Sequence, residues 1–345
     1  MKKLLVLLLV LMVAASGFAQ ITGYKSTKSG GYSVALLDAN NNNAWRITFE
    51  GNISKKVAEY KASGLVSKYV AFSANNEASV QAQQMEQLVN EGIDLILVNP
   101  VSATSLNPII DRAMQRGVRV IAVDSTVAHP KVLTVTNDQF NYAKLHIEWL
   151  LKQINYKGNI IHFNAIKGVP ANDERESIYK EYLAKYPEVK VLATEYHGWN
   201  ASKAKQLMAG LLAAYPNIDA VLTQESTPGI VAAFVEAGRP FPKAISGDES
   251  IEGLRTWKKY NYNSLMVENP PAVGVHGLMI GVRLLQGKQL DPAKLKNGNI
   301  FMVKQNLIID QSMRDSWVEK TKGLKDNDYI DSVMTEAQID SYFLK

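Results

Sequence analysis

The sequence predicts an α/β protein built from two similar, doubly wound parallel-sheet lobes, and three observations carry that prediction. Apolar runs of four to six residues alternate with longer segments of helical period, as strands buried between two helix layers do. The alternation runs through two consecutive series of similar length, and 345 residues suit two cores better than one. The strands also end alike: VIAV runs into Asp124, IIHF into Asn164, AVLTQ into Glu225, AISG into Asp248 and SLMV into Glu268. In an open parallel sheet, ligands sit beyond the carboxyl ends of the strands, so polar groups placed there converge on one site.

The elements follow in order. Residues 1–19 place Lys2 and Lys3 before the apolar run Leu4 to Val13 and close on Gly17, Phe18 and Ala19, the layout of a signal peptide cleaved before Gln20. The run is about half the ~20 residues a membrane span needs. Residues 20–31 are polar and rich in Gly, Ser and Lys, a flexible leader. The first series then reads YSVALL, a helix from about Asn43 to Tyr60, KYVAFS, a helix Ala78 to Asn90, DLILVNP, a helix Ser105 to Arg116, and RVIAVDS. VLTVTND leads into the second: a helix Tyr142 to Gln153, NIIHFNA, a helix Asp173 to Tyr186, VKVLATEY, a helix Ser202 to Tyr215, AVLTQES, a helix Gly229 to Ala237, KAISGDE and SLMVENPP. The segments around Asn137–Asp138 and Asn269–Pro271 are the expected crossings between lobes. In the helix Val273 to Gln286, Gly274, Gly277 and Gly281 recur at helical spacing and predict close packing on a neighbour. Residues 310–345 read as a helical tail wrapped on a lobe.

Composition excludes several functions. No Cys is present, so neither a disulfide framework nor a lipidated cysteine is available. The net charge of +5 comes without the clustered basic stripe of a nucleic-acid binder. There is no GxSxG elbow, no P-loop, no GxGxxG after the first strand and no Cys nucleophile, so no enzyme, cofactor or catalytic residue is indicated. The five histidines are scattered without an i, i+4 pair, which gives no metal site.

In order and spacing, NNNNAWR, ILVNP, VIAVDS, GVPANDER, GWNASKAKQLM, AVLTQES, ISGDES and MVENPPAVG resemble the type I periplasmic sugar-binding proteins of ABC transporters, of the ribose- and galactofuranose-binding kind. The resemblance runs from about Tyr32 to about Lys304. It implies two lobes joined by a three-segment hinge (32–137 with 270–303, and 138–269 with 304–309) that close on a monosaccharide. It also implies a monomer in the periplasm whose closed form docks on an ABC permease. By the same resemblance the ligand residues are Asn43, Trp45 and Arg46 on the first loop, Asp124 and Ser125 after the fourth strand, and Asp173 and Arg175 on the segment that presents an arginine. Trp199 stands at a ring-stacking position, and Glu225, Asp248 and Glu268 at further strand ends.

The chemistry of these residue types suits a polyol. A buried carboxylate accepts adjacent hydroxyls in charge-assisted bonds, arginines donate while offsetting the buried charge, and Asn43 does both. Trp45 and Trp199 would cover the CH faces of a sugar ring, whereas Trp149, Trp257 and Trp317 read as packing. Five acids at one cleft disfavour an anion and leave a neutral sugar or polyol, or a cationic amino compound. A receptor feeding chemotaxis or a sensor kinase would use the same site. A repressor of related core would need a DNA-reading helix-turn-helix where residues 1–31 stand.

Overall fold

The computed structural model describes residues 26–28, 30–247, 250–303 and 307–345. The expected signal peptide, most of the leader and Asp248 lie outside them. Two six-stranded sheets form, each with helices on both faces, as the alternation predicts. The first has strand order β11-β5-β4-β3-β1-β2, the second β12-β10-β9-β8-β6-β7. The orders correspond position by position, and every pairing is parallel except that of β12 on β10.

The first sheet takes β1 (Tyr32–Asp38), β2 (Val66–Ser73), β3 (Leu95–Val98), β4 (Arg119–Val123), β5 (Leu133–Asn137) and β11 (Ile300–Val303). The second takes β6 (Gly158–Asn164), β7 (Val189–Tyr196), β8 (Ala220–Thr223), β9 (Ala244–Gly247), β10 (Ser264–Val267) and β12 (Ile308–Ile309). Because strand side chains alternate between faces, Val34 and Leu36 of β1 join one core with Phe49 and Ile53, while Ala35 and Leu37 join another with Met85 and Leu88. Helix α1 (Ala44–Ala62) covers the first face, and α2 (Ala78–Glu91) and α3 (Asn107–Gln115) cover the second.

In the second series, α4 (Gln139–Gln153) and α5 (Pro170–Ala184) start about three residues before the expected positions. The cause is local chemistry. Asp138 caps α4 by accepting from the Asn141 N–H, and Pro170 occupies the first turn of α5, where its missing N–H costs nothing. Helices α6 (Ala201–Ala214), α7 (Thr227–Glu236) and α8 (Ile251–Tyr260) complete this half. Helix α9 (Val273–Leu285) returns to the first sheet. A Cβ on Gly274 would collide with the Phe49 ring, one on Gly277 with Val123 and one on Gly281 with Leu95, so the glycine stripe is a packing surface as expected. Trp257 is fully buried and donates to the Tyr262 carbonyl at 2.7 Å.

The crossings are pinned by amides. Asn137 Nδ2 donates to Asn269 Oδ1 at 2.9 Å, and Trp45 Nε1 to the Asn269 carbonyl at 2.7 Å. Beyond β12 the tail forms α10 (Arg314–Lys320) and α11 (Glu336–Asp340), of which α10 packs on α8 and α11 on α9. Among the described residues no helix is long and apolar enough to cross a membrane.

Candidate functional site

On the first lobe, the loop after β1 delivers Asn43 as the N-cap of α1, its Oδ1 accepting from the Arg46 N–H at 2.9 Å. That cap places Trp45 and Arg46 in the first turn, facing the ends of β1 and β4. The Arg46 guanidinium lies 3.2 Å from Asp124 Oδ2 and 3.5 Å from Asp38 Oδ1, and stacks 4.9 Å from the centre of the Trp45 ring. Asn99, just past β3, donates to the same Asp124 oxygen at 2.9 Å. One oxygen of Asp124 is thus engaged by protein from two sides. Burial pushes the Asp38 carboxyl up to about 7, with Arg46 drawing it down only in part and Asp124 adding to the rise.

The second lobe presents a different support. Arg175 is 2 % exposed, donates from Nε to Gln139 Oε1 at 2.7 Å and lies 4.1 Å above the Tyr142 ring. Tyr142 in turn donates its hydroxyl to the Gln224 carbonyl at 2.8 Å. The Gln224 amide donates to Asn164 and Asn172 at 2.9 and 3.0 Å, so buried neutral groups hold this wall. Trp199 follows Gly198 on a backbone with φ near 53°, and its N–H donates to His197 Nδ1 at 3.0 Å. Asp124 and Ser226 also have positive φ, 65° and 67°. Non-glycine residues held in that region persist only where surrounding structure imposes it, and they cluster at binding sites.

These walls flank an inter-lobe cavity, open on one side, with about 310 Å³ of empty space that is partly continuous with solvent. Asn43, Trp45, Arg46 and Asp124 line it from the first lobe, and Arg175, Trp199 and Glu225 from the second. Ala171 and Asn269, which sequence reasoning missed, complete the lining. Across the cleft Thr126 donates to Glu174 at 3.3 Å, and burial pushes the Glu174 carboxyl up to about 7.

The remaining expectations need correction. Asp173 is exposed and turns back to accept from the Gly168 N–H at 3.1 Å and from Asn172 at 2.9 Å. Glu268 is buried but accepts from the Leu307 N–H at 2.9 Å, tying two crossings together, and its neighbour Asn269 faces the cavity instead. Ser125 is buried outside the lining. Ser250 caps α8, its hydroxyl accepting from Gly253 at 3.0 Å. Among the described residues the acids of the lining are Asp124 and Glu225, beside Arg46 and Arg175. Among the described residues no cluster of His, Asp or Glu could hold a metal ion.

Two parallel-sheet lobes with a polar cavity at their strand ends define a binding protein of the two-lobed type. Residues 34–289 match the periplasmic binding protein domain, and the chain belongs to that family, whose members are binding proteins rather than enzymes. The chain is 29% identical over 261 residues to the xylitol-binding protein of Mycolicibacterium smegmatis, covering 72% of this chain and 75% of that one. It is 23% identical over 272 residues to the ribose import binding protein of Bacillus subtilis, covering 78% and 85%. The crystal structure of an ABC transporter solute binding protein from Thermobispora bispora superposes with a TM-score of 0.82 at 28% identity, covering 89% of this chain and 93% of that one.

Proposed function

We propose that this protein captures one molecule of a neutral sugar or polyol between its lobes and delivers it to an ABC-type permease. The charge balance of the cavity carries the reading: among the described residues two guanidinium groups and two carboxylates line it, each first-lobe charge already paired. A net anion or cation entering there would leave an unpaired buried charge, whereas hydroxyls can accept from Arg46 and Arg175 and donate to Asp124 and Glu225. Trp45 and Trp199 supply apolar walls for the CH faces. Relatives named for xylitol and ribose support the same class.

On this reading residues 32–137 and 270–303 form one lobe, 138–269 and 304–309 the other, and ligand contacts to both stabilise the closed form. Export through residues 1–19, with cleavage after Ala19, places the mature monomer in the periplasm. A thermal-shift screen against pentoses, hexoses, furanose-forming sugars, polyols and cationic amino compounds tests it, since a ligand that binds only the folded state raises Tm. A rise with a neutral sugar or polyol is expected. A rise with cationic compounds alone would overturn the reading.

A further inference from the structure

The tail does more than wrap one lobe. After α10 it runs along α8, where the carbonyls of Asp326 and Asp328 accept from the N–H groups of Glu252 and Ile251 at 3.1 and 3.0 Å. At residues 329–331 it crosses between lobes: Tyr329 joins the first-lobe core, and Ile330 the second. Asp331 then accepts from the Ala272 N–H at 3.1 Å and from Asn52, and Arg283 fixes the last turn through Glu336 and Asp340 at 2.8 Å each. This makes a further crossing beyond the region that matches the family, which ends at residue 289.

The crossing walls a second cavity, open on one side, whose empty space of about 720 Å³ is partly continuous with solvent and which shares Asn43, Trp199 and Glu225 with the first. Its other sides include Asn42, Asn200, Ser202 and Asn327, with Pro228 and Tyr329 giving apolar surface. No Lys or Arg lines it among the described residues, while Glu225, Glu252 and Asp326 do, which disfavours an anionic group. Asp326 is already paired with Arg255, and amides and hydroxyls supply most of the remaining polar groups.

We propose that this second cavity is a subsite for an uncharged hydroxylated substituent, the second ring of a disaccharide or the aglycone of a simple glycoside, with the C-terminal tail as its outer wall. The inference rests on the sugar or polyol reading of the first cavity and extends it. Asn43, Trp199 and Glu225 line both cavities, so a substituent on a ring held against Trp199 has the second cavity beside it.

Calorimetric titration of the mature chain with D-xylose, D-ribose, D-galactose and xylitol, beside their extended forms xylobiose, methyl β-D-ribofuranoside, galactobiose and xylobiitol, tests this. For the parent sugar that binds, the extended form is expected to bind at least as tightly. Ser202→Trp, which fills only the second cavity, is expected to weaken the extended form about tenfold and leave the parent within about twofold. Asn327→Ala, also outside the first cavity, gives a smaller loss with the same selectivity and guards against misfolding of the bulky variant. Parent binding with extended forms about 100-fold weaker would overturn the subsite alone. So would equal loss of both ligands in the variants. Failure of every sugar and polyol would overturn the underlying reading as well.

Discussion

The two lobes share one topology and build their halves of the cavity from opposite materials. In the first, a single buried arginine bridges two carboxylates, Arg46 between Asp38 and Asp124, with Asn99 completing the set. In the second, the arginine is held by a neutral amide and an aromatic face, Arg175 on Gln139 and Tyr142, over a relay of Gln224, Asn164 and Asn172. Equivalent strand ends therefore fix where a polar group stands, while the support beneath it is chosen separately. The difference should appear as an asymmetry in stability.

Arg46→Ala is expected to have the largest effect. It leaves two buried carboxylates without their cation, a loss of about 3–5 kcal/mol in urea unfolding, and it abolishes ligand binding. Arg175→Ala should also abolish binding, but it strands only a neutral amide and should cost about 1–3 kcal/mol. Equal losses would break the comparison. Trp199→Ala should weaken ligand affinity by roughly 30-fold, about 2 kcal/mol, with urea stability nearly unchanged, because the ring is half-buried on a loop.

A smaller effect separates the lobes by pH. The Asp38 carboxyl sits at about 7 in the folded protein against an ordinary 3.8, so between those values the folded state holds a proton that the unfolded chain has released. Its contribution to stability falls as pH rises through that window. The Tm difference between wild type and Asp38→Asn should therefore decline from pH 4 to 7 and then level off. A flat difference would place Asp38 as an ordinary ion-paired carboxylate. Asp173→Ala, at the exposed turn of α5, should change ligand affinity by less than about twofold in calorimetric titration.

Much of this was legible in the sequence. The alternation of apolar runs gave both sheets, and the rule that strands end in polar residues located Asp124 and Glu225. The same rule applies to YSVALLD and LILVN, and following it further would have found Asp38 and Asn99 as the support of the site. What escaped was direction. Asp173 and Arg175 are two residues apart on a helix, about 200° in azimuth, so only one can face the cavity. Glu268 and Asn269 stand at a strand end, where successive side chains point to opposite sides. Gln139 carries no local signal, since its role depends on Arg175 arriving from a distant helix. The crossing at residues 329–331 was equally hidden, because a polar tail shows its anchors only once both lobes are in place.

The proposed function requires charge from the first lobe and an aromatic wall from the second to hold one neutral ligand together. Calorimetric titration of the neutral sugar or polyol giving the largest thermal shift, into wild type, Asp124→Ala and Trp199→Ala, tests it most directly. A single site is expected in wild type and at least about tenfold weaker binding in each variant, with both variants folded. Wild-type affinity in either variant would remove that lobe's residue from the site and contradict it.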